Sequence, residues 1–406
     1  MLRFLTAGES HGPSLTAILE GMPAGLALSA EDLQADMQRR QKGYGSGGRM
    51  GIEKDSVRIT GGVMGGQTTG APIALHVENR DWANWRDKDI PPMTIPRPGH
   101  ADLTGAIKYG YRDLRLALER ASARETAARV AVGAVCRRLL AQFDVLIGSY
   151  VLSIGEVAME LPPLAGPSVR QEYLARFAAA EANEVRCPDP QAAERMHQAI
   201  FQAMQAKDTL GGVFEVVALG APPGLGSYVH WERRLDARLL WAVASIPAVK
   251  GAEIGPAFES TRQRGTQVHD EIFLEQTEDR GAGTDAPTLT RRTNRAGGLE
   301  GGITTGQPIL VRGAMKPIST TLTPLHSVDL ASGEPAGTHY ERSDFCAVPR
   351  AAVVGEAMVA FVLADALIEK LGGDSLTELH PRFEALRSGR LDELPMDDAA
   401  WRLGYE

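Results

Sequence analysis

The stretch GGQTTGAPI at Gly65–Ile73 returns as GGITTGQPI at Gly301–Ile309, a shared Gly-Gly-x-Thr-Thr-Gly-x-Pro-Ile. Each copy runs into an apolar stretch of strand character, ALHVE after the first and LVRGAM after the second. A motif repeated with its following strand points to two units built alike. The fold expected is α+β, a sandwich of two similar sheet-plus-helix halves packed through long helices. The competing reading is coincidence in a chain with 44 glycines among its 406 residues.

Working outward, residues 2–6 and 14–19 read as strands on either side of the loop GESHG. Ser29 caps a helix, SAEDLQADMQRRQ, with acids in its first turn and Arg39, Arg40 and Lys42 at its end. Strands follow at 56–60 and 72–77, then a loop rich in Trp, Asp and Pro that is too long for a simple connector. In Ser122-Ala-Arg-Glu125 the spacing is that of a capping box, and a helix is expected over 123–142. Beyond a strand at 147–158, residues 160–210 read as a helical insertion with two helical patterns, an embellishment on the fold. GGVFEVVALGAP is strand, LDARLLWAVASI helix, 250–320 Gly-rich loops with short strands, and 353–371 a final helix ending at Gly372-Gly373. The whole of 1–406 is taken as one unit, with a tail after 375.

Composition sets limits. With 43% hydrophobic residues the chain can bury a large core, and a net charge of -8 gives no basic field for nucleic acid or anionic lipid. Any anion must be held locally. Cys136, Cys187 and Cys346 are odd in number and widely spaced, so neither a disulfide framework nor a zinc site is suggested. The start, MLRFLTAGESHG, lacks the apolar core of a signal peptide, and no run approaches 18 apolar residues. A reducing, cytoplasmic setting with no membrane partner is the expectation.

RPGHADLTGAIKYGYRDLRLALERASARET, Arg97–Thr126, reads as the floor of an anion site. Pro98 fixes one dihedral and Gly99 frees the next, so His100 is presented from a constrained loop. Arg120 and Arg124 flank the expected helix start, where amides and a partial positive charge favour phosphate. An ordinary capped helix with solvated arginines is the alternative. Two motifs mislead. GESHG at 8–12 matches Gly-x-Ser-x-Gly, but eight residues cannot supply the sheet and oxyanion amides that a nucleophile elbow needs. GYGSGG at 43–48 matches Gly-x-Gly-x-x-Gly but follows a helix, outside the dinucleotide-binding context. With Arg40 and Arg49 beside it, it can still wrap a phosphate.

Taken together, GESHGP, RRQKGYGSGGRM, RPGHAD, ERASARET, IPAVKGAEIG, NRAGGLEGGITTG, AMKPISTT and ERSDFCAVPRAAVVGEAM resemble the loops of the chorismate synthase family, over nearly the whole chain. The resemblance implies a β-α-β sandwich with long helices between antiparallel sheets. It implies a cytoplasmic homotetramer converting 5-enolpyruvylshikimate 3-phosphate to chorismate and phosphate, with reduced FMN required but no net redox change. It leaves open whether NADPH or an external reductase reduces the flavin. Carried over onto these residues, His11 protonates the departing phosphate and His100 lies by the flavin. Asp344, with Ser10 as relay, helps flavin N5 take up the substrate proton. Arg40, Arg49, Arg97, Arg124 and Arg342 bind the substrate's anionic groups. Flavin contacts are Arg120, Ala121, Ser122, Gln267, Val268, Gly301, Lys316, Pro317, Ile318, Ser319, Thr320 and Arg342. Ser46 stands where many members carry a second arginine. Ala121 replaces a common serine, and Ser343-Asp344-Phe345 replaces a frequent His-Asp-Pro. Two readings from other classes compete: a non-catalytic phosphate-ligand scaffold, and a serine hydrolase through Ser10.

Overall fold

The computed structural model describes residues 1–46, 54–160, 164, 168–275, 287–341 and 343–404. The first half runs β1 (Arg3–Ala7), β2 (Ser14–Glu20), α1 (Ala30–Gln41), β3 (Val57–Gly61), a hairpin of β4 (Val63–Met64) and β5 (Gln67–Thr68), β6 (Ile73–Glu78), α2 (Asp102–Tyr109), α3 (Arg115–Ala121) and α4 (Thr126–Ala141). The second runs β7 (Leu146–Ile154), β8 (Val157–Ala158), α5 (Val169–Glu181), α6 (Pro190–Gln205), β9 (Gly212–Leu219), α7 (Leu235–Ala244) and β10 (Val249–Ile254). It continues through α8 (Ala257–Ser260), α9 (Gly265–Val268), β11 (Ile272–Glu275), β12 (Thr288–Arg291), the hairpin β13 (Leu299–Glu300) with β14 (Ile303–Thr304), β15 (Ile309–Met315), β16 (His326–Val328) and β17 (Pro335–Gly337). Helix α10 (Val348–Leu371) closes the half, and α11 (Leu376–Glu384) follows.

The duplication seen in the sequence is a duplication of structure. The two antiparallel sheets have orders β1-β2-β6-β3 and β10-β15-β9-β7-β8, which correspond in order as β1 to β7, β2 to β9, β6 to β15 and β3 to β10. The repeated motif makes the same hairpin twice. Thr68 Oγ1 donates to Pro23 O at 2.6 Å and accepts from Leu26 N at 3.0 Å; Thr304 Oγ1 does so with Pro222 O at 2.6 Å and Leu225 N at 2.8 Å. The paired glycines turn in the left-handed region, with φ of 58° and 78° at Gly65 and Gly66 and 59° and 80° at Gly301 and Gly302. A side chain there would be strained, so the glycines repeat with the turn.

Helix α4 packs on β2 and β6, helix α10 on β7 and β9, and the two helices pack on each other between the sheets. Their crossing is close because Gly133 has no side chain: a Cβ there would collide with the Ala357 backbone. Helix α10 is long and apolar enough to cross a bilayer, yet nearly all of it is buried in the core. It begins at Val348 and not at 353, because Pro349 is tolerated in the first turn, where its missing N–H has no helical partner to lose. The capping box read at Ser122–Glu125 does not form. Chain enters from α3, Ser122 Oγ accepts from Arg124 N at 3.3 Å, and the Glu125 carboxylate instead takes Thr6 Oγ1 at 2.7 Å and Arg129 Nε at 2.8 Å. Helices α2 and α3 lie where no helix was expected.

The 160–210 segment is not a loose appendage. Helix α5 covers the outer face of the five-stranded sheet, with the Phe177 ring over Gly148, where a Cβ would clash. Its polar, Ala-rich composition hides a spaced set of buried side chains, Tyr173, Ala180, Ala192, Met196 and Ile200. It also supplies part of a buried charge cluster. Glu356 of α10 is fully buried and accepts from Arg39 at 2.7 Å, Arg137 at 2.8 Å, Ser149 at 2.5 Å and Arg186 at 3.3 Å. Burial alone would raise its carboxyl, but these guanidinium groups pull it down to about 2. Because the folded value lies below the unfolded one, the stabilisation is full above about pH 4.3 and is lost as pH falls toward 2. Glu356→Gln should cost roughly 3–5 kcal/mol in urea unfolding near neutral pH, by stranding buried cations. It should also flatten that part of the acid-unfolding curve; an unchanged midpoint and unchanged acid slope would show the cluster to be idle.

Candidate active site

One cavity of about 520 Å³ lies where the first turn of α4 meets the approach to α10. The β1–β2 loop carrying GESHG forms one wall. It is held by Asn79 at the end of β6, whose Nδ2 donates to Glu9 O at 3.1 Å and Gly12 O at 2.8 Å, while its Oδ1 accepts from Arg124 Nε at 2.8 Å. Ser10 is buried and its hydroxyl lies 3.0 Å from that of Ser122. The loop joins two antiparallel strands and no helix follows it, so the nucleophile-elbow context is absent here.

His11 is fixed from α3. Its amide donates to Glu119 Oε2 at 2.7 Å and its Nδ1 lies 2.8 Å from Oε1, while its ring packs at 4.3 Å against Trp85. Burial would raise the Glu119 carboxyl, but the His11 hydrogen bonds hold it below the usual range. An ionised Glu119 can only accept, so Nδ1 bears the hydrogen. Trp85 comes from the long loop expected to be functional, and Arg115 stacks on the same ring at 5.6 Å.

His100 is built the same way. Its Nδ1 lies 2.6 Å from Oδ1 of the fully buried Asp102. Arg97 clamps that carboxylate through Nε at 2.8 Å and Nη2 at 3.0 Å, and donates from Nη1 to Thr320 at 3.1 Å. Burial opposes ionisation of Asp102, yet His100 and Arg97 bring its carboxyl well below the ordinary range. His100 Nδ1 therefore donates, and the 3.1 Å approach of Arg97 Nη2 to the same nitrogen is not a second hydrogen bond. Gly99, at φ 77°, lets the loop pass against Lys316 Nζ and Ser319.

Arg40 and Arg124 share one buried carboxylate, Asp55. Arg40 Nη1 bonds Oδ2 at 2.9 Å and Arg124 Nη1 bonds Oδ1; Arg40 also reaches Thr126 Oγ1 and Ala123 O at 3.1 Å. Burial, with Arg124 and Arg350 nearby, pushes Arg40 down to about 10, against the pull of Asp55, so it stays cationic at neutral pH. Two cations on one anion leave a net positive charge in the wall. Lys316 adds to it, its amine lowered by burial and by Lys250. Asp344 faces the same cavity and accepts from Arg350 Nη1 at 2.6 Å.

Of the residues expected from sequence, His11, His100, Ser10, Asp344, Arg40, Arg97, Arg124, Ala121, Ser122, Lys316, Ile318, Ser319 and Thr320 line this cavity. Others do not. Arg120 turns to Thr6 O and Oγ1, Ser46 bonds Gly43 O inside its own turn, and Pro317 is not on the wall. Gln267 lines a second, polar cavity with Arg292 and His269; Val268 lies beside it in α9, and Gly301 sits in the β13–β14 turn. Arg49 and Arg342 lie outside the described residues. The sequence reading missed Glu119, Asp102, Asp55, Asn79, Trp85 and Arg350. A carboxylate two residues from a candidate histidine was a usable signal for Asp102. Nothing local marked Asp55 or Asn79, which act from other elements.

The family model described as chorismate synthase matches residues 2–368. The chorismate synthase of Aquifex aeolicus is 53% identical over 393 residues, covering 94% of this chain and 96% of that one. That of Rubrobacter xylanophilus is 54% identical over 389 residues, 94% and 95% of the two chains. A crystal structure of chorismate synthase superposes with a TM-score of 0.76 at 46% identity, covering 94% of this chain and 96% of that one.

The Asp55 pairing is testable apart from any activity. Asp55→Asn should destabilise the protein by roughly 3–5 kcal/mol, since two buried guanidinium groups lose their shared counter-charge. A thermal melt unchanged from the parent would show that the two cations find other partners.

Proposed function

Because the chain belongs to the chorismate synthase family, we infer that this cavity is the seat of that family's reaction. The reaction is the 1,4-elimination of phosphate from 5-enolpyruvylshikimate 3-phosphate to give chorismate, a step of the shikimate pathway to the aromatic amino acids. The enzyme is a carbon–oxygen lyase. The observation that carries the site assignment is the convergence of His11 and His100, each with its own carboxylate partner, on one cavity rimmed by arginines.

The chemistry asks for a stabilised leaving anion and a proton moved at each end of the allylic system. His11, with Nδ1 committed to Glu119, has Nε2 to give a proton to the departing phosphate, and Glu119 steadies the cationic ring. Arg40 and Arg124, which together exceed Asp55 by one charge, hold phosphate or carboxylate oxygens by field and by hydrogen bond. Asp344 is the wall carboxylate that takes up the proton lost from the ring, with the Ser10 and Ser122 hydroxyls as a relay. These groups are held before substrate arrives. That is where electrostatic preorganisation comes from.

The family requirement for reduced FMN agrees with the cavity's lining. Leu118, Ile246, Pro247, Ala248 and Ile318 give an apolar surface for a flat ring system, beside Lys316 and the Ser319 and Thr320 hydroxyls. Bound there, reduced FMN would supply electron density to the breaking C–O bond, with NADPH one source of its reducing equivalents. Ala121, Ser122, His100, Lys316, Ser319 and Thr320 would hold it, Lys316 offering positive charge to a phosphate or to an anionic ring. Homotetramer assembly and a cytoplasmic location belong to the same proposal. Gel filtration with light scattering tests the first.

The deciding assay is anaerobic: protein, reduced FMN and 5-enolpyruvylshikimate 3-phosphate, followed for phosphate and chorismate. Equal yields of both are expected; a folded protein that releases neither overturns the reading. His11→Ala or His100→Ala should lower turnover by roughly 10²- to 10⁴-fold, the usual worth of a positioned proton donor or acceptor. Glu119→Gln, which keeps shape but lets the His11 tautomer go, should lower kcat by about 10²-fold and leave flavin affinity unchanged. Full activity in that variant would mean that Nδ1 needs no carboxylate.

A further inference from the structure

Every described arginine on the cavity wall but one has all three of its side-chain nitrogens engaged. Arg40 bonds Thr126, Asp55 and Ala123; Arg97 bonds Asp102 and Thr320; Arg124 bonds Asn79, Asp55 and Glu78. Arg350 is the exception. Its Nη1 is spent on Asp344 at 2.6 Å, while its Nη2 is buried and has no hydrogen-bond partner among the described residues. The side chain is only 13% exposed, so water covers little of it. A buried cationic N–H without an acceptor is costly, and the cost is recovered when an acceptor arrives. Of the other arginines with a buried, unbonded nitrogen, Arg115, Arg138 and Arg186, none lines this cavity.

We propose that Arg350 is a substrate-binding residue whose Nη2 donates to an anionic oxygen of the bound ester while its Nη1 holds Asp344 beside the same ligand. The inference rests on the functional reading above. One rigid, planar guanidinium then ties the arrival of the ester to the placement of the carboxylate that takes its proton. The oxygen belongs to the phosphate or to one of the two carboxylates of the ester, the kinds of anion that a guanidinium fork fits.

The test is equilibrium binding of 5-enolpyruvylshikimate 3-phosphate to the protein holding oxidised FMN, followed by the flavin absorbance, so that no turnover is needed. Arg350→Gln should weaken the ester by about 10- to 100-fold, the worth of a charge-assisted hydrogen bond, with FMN affinity unchanged in a protein that still unfolds cooperatively. Arg350→Lys, which keeps charge but not the fork, should restore only part of the affinity. Repeating the titration with shikimate 3-phosphate, which lacks the enolpyruvyl carboxylate, identifies the oxygen. A loss confined to the full ester assigns that carboxylate, and an equal loss assigns the phosphate or the ring carboxylate. Unaltered ester affinity in a folded Arg350→Gln protein, or in Arg350→Lys if the first does not fold, overturns the proposal. A parent protein that binds no ester at all would instead overturn the functional reading.

Discussion

Helices α4 and α10 cross at Gly133 and Ala357 with no more than the Ala357 methyl between them, and the arrangement of the two halves follows from that contact. Each helix belongs to one half and carries one sheet, so the crossing sets how the two sheets face each other. It also brings the residues before the two helices together. Ser122, Arg124 and Thr126 arrive with α4, and Asp344, Arg350 and Val354 with α10, on opposite sides of one cavity. A side chain at Gly133 would force the helices apart, and a close-packed interior has no slack to absorb such a shift elsewhere.

Charge is distributed with the same economy. The chain carries a net charge of -8, yet the cavity wall presents Arg40, Arg97, Arg124, Arg350 and Lys316. Buried cations are tolerable because each guanidinium leans on a carboxylate: Asp55 for two of them, Asp102 and Asp344 for one each. Sharing Asp55 between two arginines leaves a local excess of positive charge without leaving either cation unpaired. The Glu356 cluster uses the same chemistry at the far side of α10, where its task is structural: α1, α4, β7 and the segment after α5 are tied to one buried carboxylate.

The two histidines show a second regularity. Each imidazole gives Nδ1 to a carboxylate kept ionised by its surroundings, which fixes the tautomer of the neutral ring. The orientation of both rings is thereby decided by carboxylates on other elements of the chain. Glu119 comes from the helix before α4 and Asp102 from the first turn of α2, two short helices that the sequence does not predict, Gly105 and Gly110 interrupting the pattern.

The sequence by itself determined the sandwich, the two halves and the histidines and many of the polar groups of the cavity wall. The repeated Gly-Gly-x-Thr-Thr-Gly-x-Pro-Ile needs left-handed glycines and a buried threonine in both places, a local requirement that any copy must keep. His11, His100, Lys316 and the serines stand in short constrained loops whose identity is equally local. Tertiary structure alone decided the partners: which carboxylate each arginine and histidine meets, that α5 and α6 form a packed layer, and that one guanidinium nitrogen on Arg350 has no partner among the described residues. Those facts depend on residues far apart in the chain meeting across the helix crossing, and pairing at a distance leaves no periodicity or spacing for a single sequence to reveal.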